Sequence, residues 1–329
     1  MIISYNNNTR GEVIPLGNLL FSINTVMPLF LIMIIGWFLR RLGMITAEVV
    51  QKVNQIVFYL ALPASMFLDL ATADIREVFD AKFVLFAVGV TVVGFIVAWV
   101  LGELVLKDKS QVGAFVQGAF RSNYVFIGVA LVKNVLQVDD VAVAQLVIAF
   151  VIPFYNVLSV LALTTRGVTK EKVTVSRLLK NIATNPLIIS ILIALPFSLL
   201  RVQFPFLVTK TLDYCGTIAT PLALMMIGAN FNFGNIKSRL GGTLLACAYK
   251  LVLQGLIFIP IAVKLGFGTQ ELLVLLVMLC SPTAANSYIM AKNMGGDSEL
   301  ASSIIVGTTL FSVVTLTAWI FVFRTVGIL

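Results

Sequence analysis

Long apolar runs constrain this chain more than any other feature. Between clusters of charge, glycine and proline stand ten stretches, near 17–39, 49–70, 82–106, 110–136, 140–164, 185–201, 205–231, 241–264, 270–294 and 298–323. A hydrocarbon core about 30 Å thick takes about 20 apolar residues in helical form, so each stretch is a candidate span. Of 329 residues, 59% are hydrophobic and 12% charged, against about 25% charged in a soluble domain. The sequence therefore predicts an all-α membrane protein of ten transmembrane helices with short loops, and no length is left for a separate soluble core. The run after Pro15 is too long for a signal-peptide core and no small-residue cleavage site follows it, so it is read as the first span.

The net charge is +8, but the cations are scattered over short inter-helix segments and form no patch of the kind nucleic acid requires. They read instead as orientation signals. Fourteen lysines and arginines fall on one side (Arg40, Arg41, Lys52, Lys107, Lys109, Arg166, Lys170, Lys172, Arg177, Lys180, Lys237, Arg239, Lys250 and Lys292), and eight fall on the other. That second side carries Arg10, Arg76, Lys82, Lys133, Arg201, Lys210, Lys264 and Arg324, and its second loop is acidic, with Asp69, Asp74, Glu77 and Asp80. The positive-inside rule then puts both termini outside a cell membrane. Cys215, Cys247 and Cys280 stand singly in apolar runs, without disulfide or zinc spacing. There is no histidine, which removes imidazole bases and histidine metal sites. No phosphate-cradling glycine loop is present either. No cofactor, metal or enzymatic activity is expected, and uphill movement would draw on an ion or substrate gradient.

An internal repeat organises the spans. Leu62-Pro63-Ala64 in the second span answers Thr220-Pro221-Leu222 in the seventh at an offset of 158, and Lys133-Asn134 answers Lys292-Asn293 at 159. The same register sets Ser122 against Ser281, Asn123 against Pro282, and Asp139-Asp140 against Ser298-Glu299. Five spans per repeat is odd, so the halves enter the membrane in opposite directions, the inverted-repeat plan of many transporters. The expected organisation is a first five-helix repeat over residues 1–164, a cytoplasmic basic linker over 165–184 and a second, inverted five-helix repeat over 185–329. Within the linker, Val175, Leu178, Leu179 and Ile182 suit a short interfacial helix.

The fourth span holds Arg121-Ser122-Asn123-Tyr124 in an apolar run, eleven residues past Ser110 and so about 16 Å deep at 1.5 Å per residue. An arginine at that depth costs about 2.5 to 3.5 kcal/mol on insertion scales and calls for a partner or a watery cavity. A carboxylate ligand suits it, because the planar guanidinium can donate two parallel hydrogen bonds. The ninth span is interrupted at Ser281-Pro282-Thr283-Ala284-Ala285-Asn286-Ser287, where Pro282 removes a backbone donor and disfavours helix at Ser281. Two broken helices in opposed repeats would cross near the membrane centre, with half-helix N-termini facing an anion. The candidate binding residues are Arg121, Ser122, Asn123, Ser281, Pro282, Thr283, Asn286 and Ser287, with Asp69 as a candidate for ion coupling.

Plainer roles stand beside these. Arg121 could be an interhelical ion-pair or carbonyl-capping residue, and Asn123 and Asn286 could satisfy freed backbone. Pro63 and Pro221 suit paired kinks. Asp69 could be a solvated helix-end carboxylate, Asp213 and Asn230 invite the same reading, and Lys133 and Lys292 suit helix C-terminal caps.

Several motifs together resemble the auxin efflux carrier family. They are Pro28 with Gly36-Trp37 and Arg40-Arg41-Leu42-Gly43, Leu60-Ala61-Leu62-Pro63-Ala64, Arg121-Ser122-Asn123-Tyr124-Val125-Phe126-Ile127-Gly128 and Ser281-Pro282-Thr283-Ala284. The likeness covers nearly the whole chain. It implies two inverted five-helix repeats, a scaffold domain and a transport domain, broken crossover helices four and nine, and elevator-type movement. Asn123 falls on the family's crossover asparagine and Pro282 on its crossover proline. Bacterial members carry malonate, malate and similar carboxylates, and plant members export auxin; the absence of a long central loop here resembles a bacterial malonate or malate permease. The fourth span departs from many relatives in having no proline between Asn123 and Asn134.

The expected function is secondary transport of small organic anions, mono- or dicarboxylates, across the cytoplasmic membrane by alternating access. Two alternatives stay open: a sodium-coupled organic-anion symporter of the bile-acid type, and a receptor or channel that does not alternate. The expected partners are the anion and the lipid bilayer. Proton or sodium coupling and a homodimer are left open.

Overall fold

The computed structural model describes residues 13–72, 79–124, 131–132, 135, 142–166, 175–230 and 236–329, and among these all regular structure is helical. Twelve helical elements matter here: α1 (Val13–Arg41), α2 (Ala47–Ala71), α3 (Ala81–Val105), α4 (Val112–Phe120), α5 (Val147–Thr165), α6 (Val175–Ala183), α7 (Pro186–Leu200), α8 (Phe206–Asn230), α9 (Arg239–Lys264), α10 (Thr269–Cys280), α11 (Asn286–Asn293) and α12 (Ser298–Thr325). Six of them, α2, α3, α5, α8, α9 and α12, are long and apolar enough to cross a membrane, and α7 and α10 are shorter apolar helices. Val125 to Gly128, Lys133, Asn134, Asp139, Asp140 and the loop residues Asp74, Arg76 and Glu77 lie outside the described residues.

Polarity is distributed as lipid demands. Leu85, Leu104, Leu200, Phe206 and Leu207 are each more than 70% exposed, while Gln117, Arg121, Asn156, Lys250 and Gln254 are buried. Large apolar side chains face outward and polar ones find partners inside, the arrangement expected where the surroundings are hydrocarbon.

The chain starts its helices with the side chains that cap best. Asp80 Oδ1 accepts from Lys82 N at 2.7 Å and Phe83 N at 3.2 Å, and Asn185 Oδ1 accepts from Leu187 N at 3.0 Å just ahead of Pro186. Asp297 Oδ1 accepts from Glu299 N at 3.1 Å and Leu300 N at 2.9 Å. Each oxygen satisfies amides that the first helical turn leaves without a carbonyl. Prolines then shape the interiors. A wide π-turn over Val57–Ala61 comes just before Pro63, and another over Val147–Val151 just before Pro153. Pro cannot donate, and its ring crowds the preceding turn, which a local π-turn relieves. In α8 the helix slackens at Ile218, ahead of Pro221.

Two packed groups result. In one, α2 lies against α7 and α8, and α1 lies against α8. The α1/α8 crossing is backbone on backbone: a Cβ on Gly36 would fall on the carbonyl of Met225, and one on Gly228 on the carbonyl of Met33. In the other, α4 is enclosed by α3, α5 and α12, and α9 packs on α10 and α12. α1 also touches α12, and α8 touches α11, so the groups abut.

Loop contacts sort the two ends of the molecule. Arg166 Nε meets Glu103 Oε1 at 2.6 Å, Gly113 N donates to Arg166 O at 3.2 Å, and Arg239 pairs with Asp297 at 3.1 Å and Glu299 at 2.8 Å. Elsewhere Lys82 Nζ donates to Leu265 O at 2.6 Å, and Thr269 Oγ1 donates to Ile328 O at 2.9 Å. One residue corrects the charge count. The sequence count places Lys250 in a loop, but it lies inside α9 and is 0% exposed, so one cation leaves the richer side and the sign of the bias is unchanged. In the linker, α6 forms with Leu179 exposed and Ile182 half-buried; the side chains of Val175 and Leu178 lie outside the described ones.

Candidate functional site

Both α4 and α10 stop in mid-protein. At Arg121 the backbone turns extended (φ −78°, ψ 136°), and at Ser281 it does the same (φ −76°, ψ 160°). The fourth span needs no proline to break, because its freed backbone is satisfied from elsewhere. Asn123 N, whose helical acceptor would be Ala119 O, donates to Pro282 O at 2.8 Å across the gap. Ala119 O accepts from Gln254 Nε2 at 3.0 Å, and Gly118 O accepts from Thr283 Oγ1 at 2.6 Å. On the opposite break, Met278 O and Leu279 O accept from Lys250 Nζ at 3.1 and 2.8 Å, and Thr283 N donates to Thr308 Oγ1 at 3.1 Å. Lys250 and Gln254, four residues apart on α9, thus cap the last carbonyls of both half-helices. Buried carbonyls at a helix end require such partners, and a cation there also meets the negative end of the dipole.

The two breaks touch. Ser122 Oγ and Ser281 Oγ are 2.6 Å apart. Beside them Arg121 is 2% exposed. Its Nη2 donates to Asn156 Oδ1 at 3.0 Å, and its Nη1 to Met290 Sδ at 2.9 Å and Ser159 Oγ at 3.5 Å. Among the described residues it has no carboxylate partner and uses only part of its five-donor fork. A cavity open at its mouth reaches this point. Arg121, Ser122, Asn123, Asn286 and Asp69 all line it, with Thr220 from α8 and Ser65 from α2. Leu62, Leu70, Ile148, Ile152 and Ile191 supply apolar wall.

The remaining sequence-derived candidates stand behind that wall. Ser281, Thr283 and Ser287 are buried, and with Pro282 they are absent from the lining. Ser281, Pro282 and Thr283 bond the opposite break, and Ser287 Oγ is buried without a protein partner. Asn286 opens α11 at the cavity with no side-chain cap on that helix, and its Oδ1 is likewise without a protein partner. So a half-helix N-terminus does face the cavity from α11, whereas α4 and α10 bring C-termini to the crossing. Asp69 lies on α2, its Oδ2 accepting from Ser65 Oγ at 3.3 Å, and lines the same cavity.

Sequence reasoning missed Asn156, Met290, Lys250 and Gln254. Asn156, Lys250 and Gln254 carried a usable signal, a polar side chain within an apolar run, the same one that exposed Arg121. Met290 carried none, since a methionine in a membrane helix is unremarkable until the fold sets its sulfur against a guanidinium.

Apolar flanks, a buried cation and two interrupted helices meeting beside a cavity define a multi-pass membrane protein. A family described as "Membrane transport protein" matches residues 21–320. The chain belongs to this family, the auxin efflux carrier type, and is a transport protein and not an enzyme. It is 27% identical over 305 residues to a "Putative malonate transporter" of Rhizobium meliloti, covering 91% of this chain and 95% of that one. An "Uncharacterized transporter" of Methanothermobacter thermautotrophicus is 23% identical over 304 residues, covering 91% and 97%. A similarly described protein of Methanocaldococcus jannaschii is 23% identical over 309 residues, covering 91% and 98%.

Proposed function

We propose that the chain is a secondary carrier of small organic anions, mono- or dicarboxylates, which bind in the central cavity beside Arg121. The observation that carries this is a guanidinium buried on the cavity wall that pairs with no carboxylate among the described residues. Such a group favours an anion that can accept its unused donors. The relative described as a malonate transporter supports the same substrate class. Ser122, Asn123 and Asn286 orient the anion, while Ser281, Pro282, Thr283 and Ser287 keep the two breaks in register behind it.

The ten-helix plan follows: two inverted repeats, 1–164 and 185–329, joined by a cytoplasmic linker at 165–184, with both termini outside. Its support is the contact between Ser122 and Ser281, whose separation of 159 residues equals the offset of the sequence repeat. The group of α1, α2, α7 and α8 serves as scaffold, and the group around the breaks moves against it as an elevator. Asp69, facing the cavity from the scaffold side, favours a second reading in which a proton or sodium ion is carried with the anion.

Purified protein in liposomes tests both. Uptake and counterflow of labelled malonate, malate and lactate are measured with and without a sodium gradient, and transport of at least one of them is expected. Binding without counterflow would make it a receptor, single-channel currents would make it a channel, and uptake indifferent to sodium would exclude the sodium-coupled reading.

A further inference from the structure

Among the described residues lining the cavity, two carry ordinary charge, Arg121 and Asp69, one of each sign. The rest of the described lining is apolar or neutral polar, with Thr220 from α8 and Asn286 from α11 among the polar groups. Among the described lining residues the fixed charge is therefore balanced before a substrate enters. Asp69 accepts from the hydroxyl of Ser65, and no cation pairs with it among the described residues.

We infer that this cavity selects its anion by charge: it accepts one carboxylate at Arg121 and rejects a second ionised carboxylate, which would face Asp69 in a space walled by Leu62, Leu70 and Ile191. The inference rests on the carrier reading and sharpens its substrate class to monoanions. In a poorly polarisable cavity two like charges repel far more strongly than in water, and a like-charge clash is an effective way to exclude a competitor. A dianion enters only with a cation of its own, so its passage is coupled where that of a monoanion is not. A neutral hydroxyl, keto or ester group at the far end of the substrate suits Asp69 and the polar side chains near it.

The test compares substrates of one shape and different charge: labelled malonate against monomethyl malonate, and succinate against monomethyl succinate. Uptake into liposomes is measured at a fixed pH of about 8, where both parent acids are dianions, and without sodium. The monoesters should enter at least tenfold faster. Asp69→Asn should narrow that ratio several-fold by admitting the dianion, and Asp69→Glu, which keeps the charge, should restore it. Equal uptake of the dianions by the unaltered protein, or a ratio unmoved by Asp69→Asn in protein that still transports, overturns the inference while leaving the carrier reading intact. Should no carboxylate enter in any form, it is the carrier reading that fails.

Discussion

Ser122 and Ser281 meet hydroxyl to hydroxyl at 2.6 Å, 159 residues apart in the chain. Beside that contact the amide of Asn123 donates to the carbonyl of Pro282 at 2.8 Å, so each interrupted helix supplies what the other lost. The breaks form one unit, not two independent defects. Arg121, the residue next to this unit, inherits its position from it.

The serine pair should behave as a coupled interaction. Ser122→Ala or Ser281→Ala alone leaves one buried hydroxyl without its partner, at a cost of about 1 to 3 kcal/mol. The double variant removes both groups and should cost less than the sum of the singles, with a coupling of about 1 kcal/mol. Unfolding of the four proteins in detergent checks this; strictly additive losses would mean the contact contributes nothing.

Lys250 should matter to stability although it is far from the surface. Lys250→Met keeps much of the bulk but strips the donor from Met278 O and Leu279 O. Leaving such buried groups unsatisfied costs about 1 to 3 kcal/mol each. Gln254→Leu acts on Ala119 O in the same way and should be milder, one neutral hydrogen bond instead of two charge-assisted ones. Thermal unfolding in detergent should rank the Lys250 variant below the Gln254 variant, and the reverse order would count against the capping role.

Gly228→Ala and Gly36→Ala should each disrupt the scaffold group. The added methyl would land on a backbone carbonyl of the facing helix, and backbone cannot step aside as a flexible side chain can. Gel filtration should show loss of the monodisperse peak for both. Gly89→Ala is the control, since nothing lies near its Cβ position, and should leave the peak in place.

Much of this was legible in the sequence because hydrocarbon allows so few solutions. The helix edges of α2, α3, α7 and α8 fall within two residues of the apolar runs, since a run of membrane length without charge has nowhere else to go. The breaks were legible as well: Pro282 as a missing donor, Arg121 as a charge in the wrong solvent. What stayed hidden depends on contacts distant in sequence. Nothing local to Gln254 says that it will serve Ala119, or that Met290 will face a guanidinium. Lys250 lies well inside the run at 241–264, yet a lysine reads as a loop residue until the carbonyls of α10 are seen beside it. Asp69 is recognisable as a carboxylate at a span's end, but its place on the wall of the cavity that Arg121 also lines comes from the packing of α2 against α7 and α8.

The central claim is that Arg121 binds the anion, and equilibrium binding tests it most directly. Calorimetry with malonate, monomethyl malonate and lactate should be done on the purified protein and on Arg121→Lys and Arg121→Met, each checked for a monodisperse folded peak. Arg121→Met should weaken carboxylate binding at least tenfold. Arg121→Lys, which keeps the charge and loses the fork, should fall between. Undiminished carboxylate binding by folded Arg121→Met would contradict the account.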